Sequence, residues 1–327
     1  MPVRQVEVVA PSRLHFGMFS FGQTNLRAYG GVGMMIDSPG LRIVVRIDES
    51  AKGAELTTGD KMTTDNSVAL DHVRRVAEHL GIDSQVQVEM PCAPRAHAGL
   101  GSGTQLGMSI AAALFALAGR EVSSAAELAA ACGRGKRSAV GTHGFIHGGW
   151  IVEAGKRKPE ELSPLVARVD FPADWRMALV IPAKAEGLHG VAERRAFERL
   201  PPVDRSLTDQ LCRVALLELT PAVKVADFAG FCEGLKVFNQ LAGACFAAEQ
   251  GGVYAPSSQA TINRLLSAGV EHFAQTSWGP TVCVPFANQA DAEQFAKRWR
   301  AETSDEVIIA AGCNHGARVT ASSNDAS

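Results

Sequence analysis

Strand-like patterns dominate the first ninety residues of the chain. Residues 6–10, 13–19 and 41–47 are largely apolar and include β-branched or aromatic side chains, which predicts three strands. Residues 86–90 alternate apolar and polar positions, as a strand with one buried face does. The N-terminal part of the protein is therefore expected to contain a sheet.

Helical patterns lie between and after these strands. Apolar positions from 68 to 80 recur at helical spacing and stop at Gly81, a residue suited to the left-handed turn that ends a helix. A second apolar run covers residues 106–117. Ser124 followed by Glu127 forms a capping box, which predicts a helix from that point through residue 132.

The rest of the chain is expected to mix helices with short strands. The predicted helices cover 191–200, 207–219, 228–248, 256–266 and 290–301, and the predicted strands 145–153, 175–181, 281–284 and 306–310. Because the two kinds of element do not alternate regularly, the expected fold class is α+β. The expected division is an N-terminal domain at 1–170, a C-terminal domain at 171–319 and a Ser/Asn-rich disordered tail at 320–327.

Composition narrows the possible partners. The 327 residues are 46% hydrophobic and 20% charged, and 32 Lys and Arg against 34 Asp and Glu give a formal charge of −2, which argues against a dedicated nucleic-acid binder. No apolar run reaches membrane-spanning length and no signal-peptide pattern is present. The seven cysteines form no C-x-x-C pair, which disfavours structural zinc. A protein of the reducing cytoplasm is expected.

A glycine-rich segment carries the clearest chemical signal. Residues 97–105, His-Ala-Gly-Leu-Gly-Ser-Gly-Thr-Gln, run directly into the second apolar helix. Backbone N–H groups at a helix N-terminus attract anions, and Gly99, Gly101 and Gly103 have no side chain to keep a phosphate away. The segment lacks the Gly-Lys-Ser/Thr of a P-loop, and Thr104 stands where a dinucleotide-binding loop has its third glycine. It therefore predicts phosphate or pyrophosphate binding by another type of loop.

Four other segments combine polar or charged residues with glycine or strand patterns. Residues 134–138, Arg-Gly-Lys-Arg-Ser, form either a polyanion clamp or a solvated basic turn. Arg13 and His15 share one face of a predicted strand, and Arg27 precedes a glycine-rich turn. Residues 275–281, Gln-Thr-Ser-Trp-Gly-Pro-Thr, form either a polar binding loop or a turn with a core tryptophan.

Three segments together resemble the signature motifs of the GHMP kinase superfamily. They are residues 10–17 (Ala-Pro-Ser-Arg-Leu-His-Phe-Gly), 99–104 and 277–281. More narrowly, the chain is similar to the β-ribofuranosylaminobenzene 5′-phosphate synthase family. That likeness extends through residues 133–142, 187–193 and 250–254.

The resemblance implies both a fold and a reaction. The fold would pair a ribosomal-S5-like N-terminal domain with a ferredoxin-like C-terminal domain. The reaction would be a decarboxylating phosphoribosyl transfer from phosphoribosyl pyrophosphate to 4-aminobenzoate or 4-hydroxybenzoate, with a Mg²⁺ requirement. The product would feed tetrahydromethanopterin synthesis and one-carbon metabolism. A homodimer without nucleic-acid or membrane partners is the expected assembly.

Site residues follow from the motifs and the resemblance together. The predicted substrate-binding and phosphate-binding residues are His97, Gly99, Gly101, Ser102, Gly103, Thr104, Gln105, Arg134, Lys136, Arg137, Ser138, Thr142, Ser277, Trp278 and Gly279. Arg13, His15 and Arg27 are the candidates for catalytic residues. Asp37 and Glu153 are the candidates for Mg²⁺ ligands, on proximity in sequence only.

Two positions depart from the kinase pattern. Superfamily kinases commonly carry Lys where this chain has Arg13, and many carry a catalytic Asp where it has Gly141. Because glycine cannot accept a proton from a substrate hydroxyl, phosphoryl transfer by the usual route is disfavoured. The glycine-rich loop is instead expected to hold a pyrophosphate leaving group. An ATP-dependent small-molecule kinase and a non-catalytic phosphate-binding or nucleotide-binding protein are the two alternative functions.

Overall fold

The computed structural model describes residues 4–48, 53–58, 66–83, 85–183 and 190–323. Within these residues, one sheet has the strand order β11-β1-β2-β4-β3, with β5 paired to β2 and β6 to β5. Its strands are β1 (Gln5–Ser20), β2 (Tyr29–Ile47), β3 (Glu55–Thr58), β4 (Val86–Cys92), β5 (Trp150–Glu153), β6 (Leu165–Val169) and β11 (Arg318–Ser322). The helices of this half are α1 (Asn66–Leu80), α2 (Ser102–Leu117), α3 (Ala125–Cys132) and α4 (Val140–His147).

A second, antiparallel sheet follows along the chain. Its order is β10-β7-β9-β8, from β7 (Arg176–Ile181), β8 (Ala274–Gln275), β9 (Val282–Phe286) and β10 (Glu306–Ala311). The helices around it are α5 (Gly190–Arg199), α6 (Arg205–Val214), α7 (Thr220–Val225), α8 (Phe228–Ala244), α9 (Ala247–Gln250), α10 (Pro256–Ser267) and α11 (Gln289–Glu302). A π-helical turn, Ala215–Leu219, joins α6 to α7.

The strand β7 shows why its sequence is apolar at almost every position. Met177, Leu179 and Ile181 point into one core cluster, together with side chains of α6 and α8. Ala178 and Val180 point into the opposite cluster, with side chains of α10 and α11. Successive side chains of a strand face opposite sides of the sheet, so a strand covered on both faces needs apolar residues throughout.

The helix α2 is apolar around its whole circumference because protein surrounds it. All residues from Gln105 to Phe115 are buried, and its apolar side chains pack with those of α1, β1 and β4. A helix buried on all sides is rigid and cannot turn to expose a polar face. Its N-terminus, which carries the glycine loop (residues 97–105), is therefore fixed in direction. No helix of the described residues is long and apolar enough to cross a bilayer.

Helix boundaries set by capping residues were predicted correctly. Ser124 accepts the N–H of Glu127 and begins α3, which ends at Gly133 in the left-handed conformation. The strand predicted at 145–153 was wrong in its first part, since α4 continues to His147. Short apolar runs fit a buried helix and a buried strand equally, and only Gly148 and Gly149, both at positive φ, separate the helix from β5.

The predicted disordered tail was wrong for residues 320–322. They belong to β11, which pairs antiparallel with β1 at the edge of the first sheet. The side chains of β11 are all exposed, so backbone hydrogen bonds hold the strand in the sheet. Amino-acid composition cannot predict pairing of this kind. The last strand therefore belongs to the first sheet and not to the predicted C-terminal domain at 171–319. Residues 324–327 lie outside the described residues.

Candidate active site

The N-terminus of α2 has the geometry of an anion site. Gly101 lies just before the helix at φ 73°, and its carbonyl accepts the N–H groups of Thr104 and Gln105. This arrangement leaves the N–H groups of Ser102 and Gly103 in the first turn for another acceptor. Two such N–H groups, together with the partial positive charge of a helix N-terminus, favour a bound phosphate.

Three sequence motifs meet at this helix end. The backbone N–H of Arg13 donates to the carbonyl of Leu100 (3.0 Å), and its guanidinium donates to the Ser277 hydroxyl (2.9 Å). The Thr276 hydroxyl donates to the Gly99 carbonyl (3.0 Å) and accepts the N–H of His15 (3.0 Å). The predicted motifs at 10–17, 97–105 and 275–281 therefore form one bonded unit that joins β1 to the second half of the chain.

The glycines of these loops serve packing more than was predicted. A Cβ at Gly99 would lie 2.6 Å from the Thr276 carbonyl oxygen, and one at Gly279 would overlap Gly99. A Cβ at Gly101 would overlap the side chain of Arg13. These three glycines let two loops and an arginine approach each other closely, whereas direct access for a phosphate was the predicted reason.

The basic loop, residues 134–138, faces the same helix end. The guanidinium of Arg134 lies 3.1 Å from the position that a Cβ at Gly103 would occupy. The guanidinium carbon of Arg137 lies 4.5 Å from the centre of the Phe197 ring, in a cation–π contact. Beneath the loop the buried Lys156 donates from Nζ to the carbonyls of Gly135 (3.2 Å) and Pro159 (2.9 Å). Of the predicted alternatives, the clamp fits this geometry better than a solvated turn.

His72 is a hydrogen-bond partner of Arg134. Its Nε2 lies 2.9 Å from Nη2 of Arg134, and because a guanidinium only donates, the imidazole accepts and is neutral. Burial, followed by the charge of Arg134, lowers the pKa of His72 to about 4. His72 was not predicted from the sequence, where it is one polar position among several in α1.

We expect His72 to make the protein less stable as the pH falls below about 6.5. The unfolded chain binds a proton near that ordinary histidine pKa, whereas the folded chain resists it down to about 4. Folded-state stability should therefore be complete above pH 6.5 and fall towards pH 4, by about 3 kcal/mol at most from this residue. The free energy of unfolding should fall less between pH 7 and pH 5 in His72→Gln than in the wild type.

An exposed histidine on the same helix provides the control. His79→Gln is the matched replacement of a histidine by glutamine at an exposed position of α1, and it leaves the contact between His72 and Arg134 in place. Equal pH dependence in the wild type and in His72→Gln would show that His72 is not held neutral in the folded protein.

A cavity of about 750 Å³ joins these features. Most of the predicted residues line it, namely Arg13, His15, His97, Gly99, Gly101, Ser102, Gly103, Thr104, Arg134, Lys136, Arg137, Ser138, Ser277, Trp278 and Gly279. Gln105 and Thr142 do not. Both are buried, and Gln105 donates from Nε2 to the Gly141 carbonyl (3.0 Å), which ties α2 to α4. The prediction that these two residues bind substrate is therefore corrected.

Arg27 and Asp37 lie away from the cavity. The guanidinium of Arg27 donates to the carbonyl of Gly155 (3.2 Å), and the exposed carboxylate of Asp37 accepts the N–H of Ala311 (2.9 Å). Proximity along the sequence suggested Asp37, and the glycine-rich turn that follows suggested Arg27. Arg27 precedes β2 and Asp37 lies within it, and neither residue lines the cavity.

Glu153 supports the basic loop from the protein interior. One carboxylate oxygen accepts the Ser138 hydroxyl (2.6 Å) and the N–H of Ala139 (2.8 Å), and the residue is fully buried. Burial raises its pKa, while the bonds from the Ser138 and Ser163 hydroxyls oppose that shift. Glu153 does not line the cavity, so the prediction of a metal ligand gives way to a role in fixing Ser138.

His15 presents a neutral imidazole to the cavity. The residue is 3% exposed, and its Nε2 has no hydrogen-bond partner among the described residues. Burial, and then the charges of Arg13 and Arg137, hold the pKa of His15 well below its usual range. An uncharged, unpartnered ring nitrogen beside two cations suits a hydrogen bond to a polar ligand group.

Aromatic side chains form another part of the lining. We call Phe197, Phe246, Tyr254 and Trp278 the aromatic wall. The rings of Phe197 and Trp278 stack with centres 5.4 Å apart, and the edge of Phe246 meets Trp278 at 5.2 Å. Sequence reasoning missed all of these except Trp278, because aromatic residues in apolar helices are usually core residues. The one available signal was the resemblance of residues 250–254 to the synthase family, a segment that includes Tyr254.

Comparisons with known protein families identify the fold. The N-terminal domain of GHMP kinases matches residues 67–149, and the C-terminal domain of GHMP kinases matches residues 219–305. The two matched regions together cover just over half of the chain. The chain belongs to the GHMP kinase superfamily.

Relatives within this superfamily are more specific. The β-ribofuranosylphenol 5′-phosphate synthase of Methanothermobacter thermautotrophicus is 28% identical over 295 residues, which are 86% of this chain and 88% of that protein. The protein of the same name from Archaeoglobus fulgidus is 29% identical over 243 residues, 71% of this chain and 74% of that protein. The predicted likeness to this synthase family is confirmed, and the chain is an enzyme of the pentosyltransferase type.

Solved structures share the fold of this GHMP superfamily enzyme. The mevalonate diphosphate decarboxylase of Enterococcus faecalis superposes with a TM-score of 0.67 at 15% identity, covering 98% of this chain and all of that one. The homoserine kinase of Cytophaga hutchinsonii gives 0.61 at 19% identity, covering 97% of each chain. The predicted fold class is confirmed. The segment 187–193 was one of those in which the chain resembles the synthase family. Its residues 187–189 lie outside the described residues.

The GHMP enzyme's cavity has no carboxylate among its described lining residues. Gly141, which stands where superfamily kinases were expected to carry Asp, lies in the first turn of α4 beside Thr104, Gln105 and Arg13. The described residues also contain no group of three His, Cys, Asp or Glu side chains suited to a metal. Within the described part of the chain, the cavity lining therefore offers no carboxylate ligand for a Mg²⁺ ion.

Proposed function

We propose that this enzyme transfers the phosphoribosyl group of phosphoribosyl pyrophosphate to 4-hydroxybenzoate or 4-aminobenzoate, releasing carbon dioxide and pyrophosphate. One observation carries the proposal: a single cavity joins a helix N-terminus and three cationic side chains to an aromatic wall. The first part matches a pyrophosphate in charge and hydrogen bonding, and the second matches a flat benzoate ring.

The reaction needs no proton transfer at the sugar. The ring carbon that bears the carboxylate forms a bond to ribose C1 as the bond from C1 to pyrophosphate oxygen breaks, and the pyrophosphate leaves with that electron pair. The bond from the ring to the carboxylate then breaks, carbon dioxide leaves, and its electron pair restores the aromatic ring. The described residues that line the cavity include no Asp or Glu, which suits this chemistry and would not suit a kinase that needs a carboxylate base.

Charge stabilisation of the leaving group supplies most of the catalysis in this proposal. Negative charge grows on the pyrophosphate as the bond to ribose breaks, and preorganised donors aimed at developing charge are the most effective catalytic devices. The N–H groups of Ser102 and Gly103 and the cations of Arg134, Arg137 and Lys136 provide them. The neutral imidazole of His15 hydrogen-bonds a substrate hydroxyl.

The acceptor carboxylate lies against the aromatic wall and away from tight ion pairing. A carboxylate departs as neutral carbon dioxide more easily when few hydrogen bonds stabilise its charge. The side chain of Arg13 packs against Gly101 and donates a hydrogen bond to Ser277 at the phosphate side of the cavity. Arg27 does not line the cavity. In this proposal neither arginine binds the carboxylate.

Magnesium, pathway and assembly also belong to the proposal. Mg²⁺ would enter as a complex with phosphoribosyl pyrophosphate, held by the phosphates of the substrate. The product would serve tetrahydromethanopterin synthesis in one-carbon metabolism, in the cytoplasm. A homodimer is a further prediction, which light scattering of the purified protein would check.

A two-part assay tests the function. The enzyme is incubated with phosphoribosyl pyrophosphate, Mg²⁺ and carboxyl-labelled 4-hydroxybenzoate or 4-aminobenzoate, and released carbon dioxide and pyrophosphate are counted. Equal amounts of both are expected, and only when both substrates are present. A parallel reaction contains ATP and candidate alcohols. ATP conversion that depends on an alcohol, without carbon dioxide release in the first reaction, would establish a kinase, and phosphate binding without either reaction would establish a binding protein.

A further inference from the structure

Gln250 carries a buried acceptor atom at the aromatic wall. The residue ends α9, lines the cavity, and is 8% exposed. Its Oε1 has no hydrogen-bond partner among the described residues. Buried polar atoms are almost always hydrogen-bonded in folded proteins, so an orphaned acceptor beside a substrate cavity suggests a partner on the ligand.

The orientation of the Gln250 amide is fixed by its other end. Nε2 donates to the carbonyl of Val253 (2.8 Å) and to the carbonyl of Gly243 (3.3 Å). Turning the amide over would bring Oε1 against two carbonyl oxygens, neither of which can donate a hydrogen bond. The unpartnered atom is therefore an acceptor and not a donor. A ligand group that pairs with it must carry an O–H or N–H.

The surroundings of Gln250 indicate what kind of ligand carries that group. Two residues of the aromatic wall, Phe246 and Tyr254, lie four positions away on either side in the sequence, and the stacked pair of Phe197 and Trp278 completes the wall. Indole Nε1 of Trp278 is also a buried group without a partner among the described residues. Flat rings with one fixed acceptor suit an aromatic ligand that bears a hydrogen-bond donor.

We infer that Gln250 is a specificity-determining residue, which accepts a hydrogen bond from the para hydroxyl or amino group of the benzoate acceptor. The inference rests on the proposed function, since it names the group of the acceptor that this site recognises. The bond also has a chemical consequence. An acceptor pulling on the para O–H or N–H increases electron density at the opposite ring carbon, which is the carbon that attacks ribose C1. The proton stays on the para group throughout, so no base is required.

A graded substrate series tests this without altering the protein. 4-Aminobenzoate and 4-(methylamino)benzoate both retain an N–H, whereas 4-(dimethylamino)benzoate has none but donates electrons to the ring at least as well. The wild-type enzyme should process the first two with similar kcat/KM and lose about tenfold at the third, the size of one buried hydrogen bond. An even decline along the series would indicate a steric effect and would overturn the inference.

Variants of Gln250 separate the hydrogen bond from the bulk of the methyl groups. In Gln250→Met the loss between the monomethyl and dimethyl compounds should shrink to about twofold or less, because no acceptor is left to satisfy. Gln250→Leu, a second apolar replacement, should lose the discrimination in the same way. Gln259→Met, at an exposed position of α10, is the matched control and should behave like the wild type.

Binding measurements distinguish a failed inference from a failed reaction. Calorimetric titration of the three benzoates into the wild-type enzyme with pyrophosphate present needs no turnover. The same step in affinity at the dimethyl compound is expected even if the catalytic reaction proves to be another. Equal affinities for all three compounds, with or without turnover, would show that Gln250 does not accept a hydrogen bond from the para group. If Gln250→Met does not fold, the wild-type series and Gln250→Leu still decide.

Discussion

Gly101→Val is expected to weaken the binding of phosphoribosyl pyrophosphate by at least about a hundredfold, the loss expected from two charge-assisted hydrogen bonds. Gly101 lies at φ 73°, a conformation that a β-branched residue rarely adopts, and its Cβ would overlap the side chain of Arg13. Relief of that overlap must displace Arg13 or the first turn of α2. A shift of the helix turn takes the N–H groups of Ser102 and Gly103 out of position for the pyrophosphate, and a shift of Arg13 moves a cation that lines the cavity.

Gly119→Val is the matched control for this substitution. Gly119 follows the other end of α2 at φ 65°, and among the described residues no heavy atom lies within 4 Å of the place for its Cβ. The two variants should lose similar stability from backbone strain, about 1–2 kcal/mol. Only Gly101→Val should lose binding in calorimetry with phosphoribosyl pyrophosphate. Wild-type affinity in a folded Gly101→Val protein would remove the helix N-terminus from the phosphate site.

Arg137→Ala should weaken the same ligand by about ten- to a hundredfold, as expected for a desolvated charged contact worth 1.5–3 kcal/mol. The guanidinium of Arg137 lies over Phe197 and lines the cavity, so it contacts both the phosphate region and the aromatic wall. Its removal should also raise the pKa of His15, because the charge of Arg137 contributes to lowering it. Arg137→Lys should restore only part of the affinity, since lysine lacks the planar fork.

The control for Arg137 is an arginine outside the cavity. Arg157 is exposed and does not line the cavity, so Arg157→Ala should leave the dissociation constant unchanged. Melting temperatures are measured for every variant. A large fall in melting temperature with unchanged affinity would make Arg137 a structural residue, and an unchanged value of both would make the basic loop a solvated turn.

Features that depend on hydrogen bonds between residues close in sequence were predicted correctly. The capping box at Ser124 and the glycine loop before α2 each depend on bonds within a few residues, and the structure places both as expected. The wrong assignment at 145–147 and the missed pairing of residues 320–322 have the opposite cause. A buried apolar run and a backbone-paired edge strand are decided by distant parts of the chain.

The predictions of site residues succeeded or failed for the same reason. Arg13, the glycine loop and Ser277 were all predicted site residues. The fold brings them together through one backbone and one side-chain hydrogen bond of Arg13. Asp37 failed as a metal candidate because nearness in sequence says little about nearness in space. Gln250 could not have been selected from its sequence position. Its significance lies in an amide whose nitrogen donates to two carbonyls and whose oxygen has no partner among the described residues.

A crystal structure of the enzyme with phosphoribosyl pyrophosphate and unsubstituted benzoate would test the central claim most directly. Benzoate lacks the activating para group, so the pair should persist in the crystal without reacting. The account predicts pyrophosphate at the N–H groups of Ser102 and Gly103, within reach of Arg134 and Arg137, and the benzoate ring against Phe197 and Trp278. Pyrophosphate bound elsewhere, or the ring bound outside the aromatic wall, would contradict it.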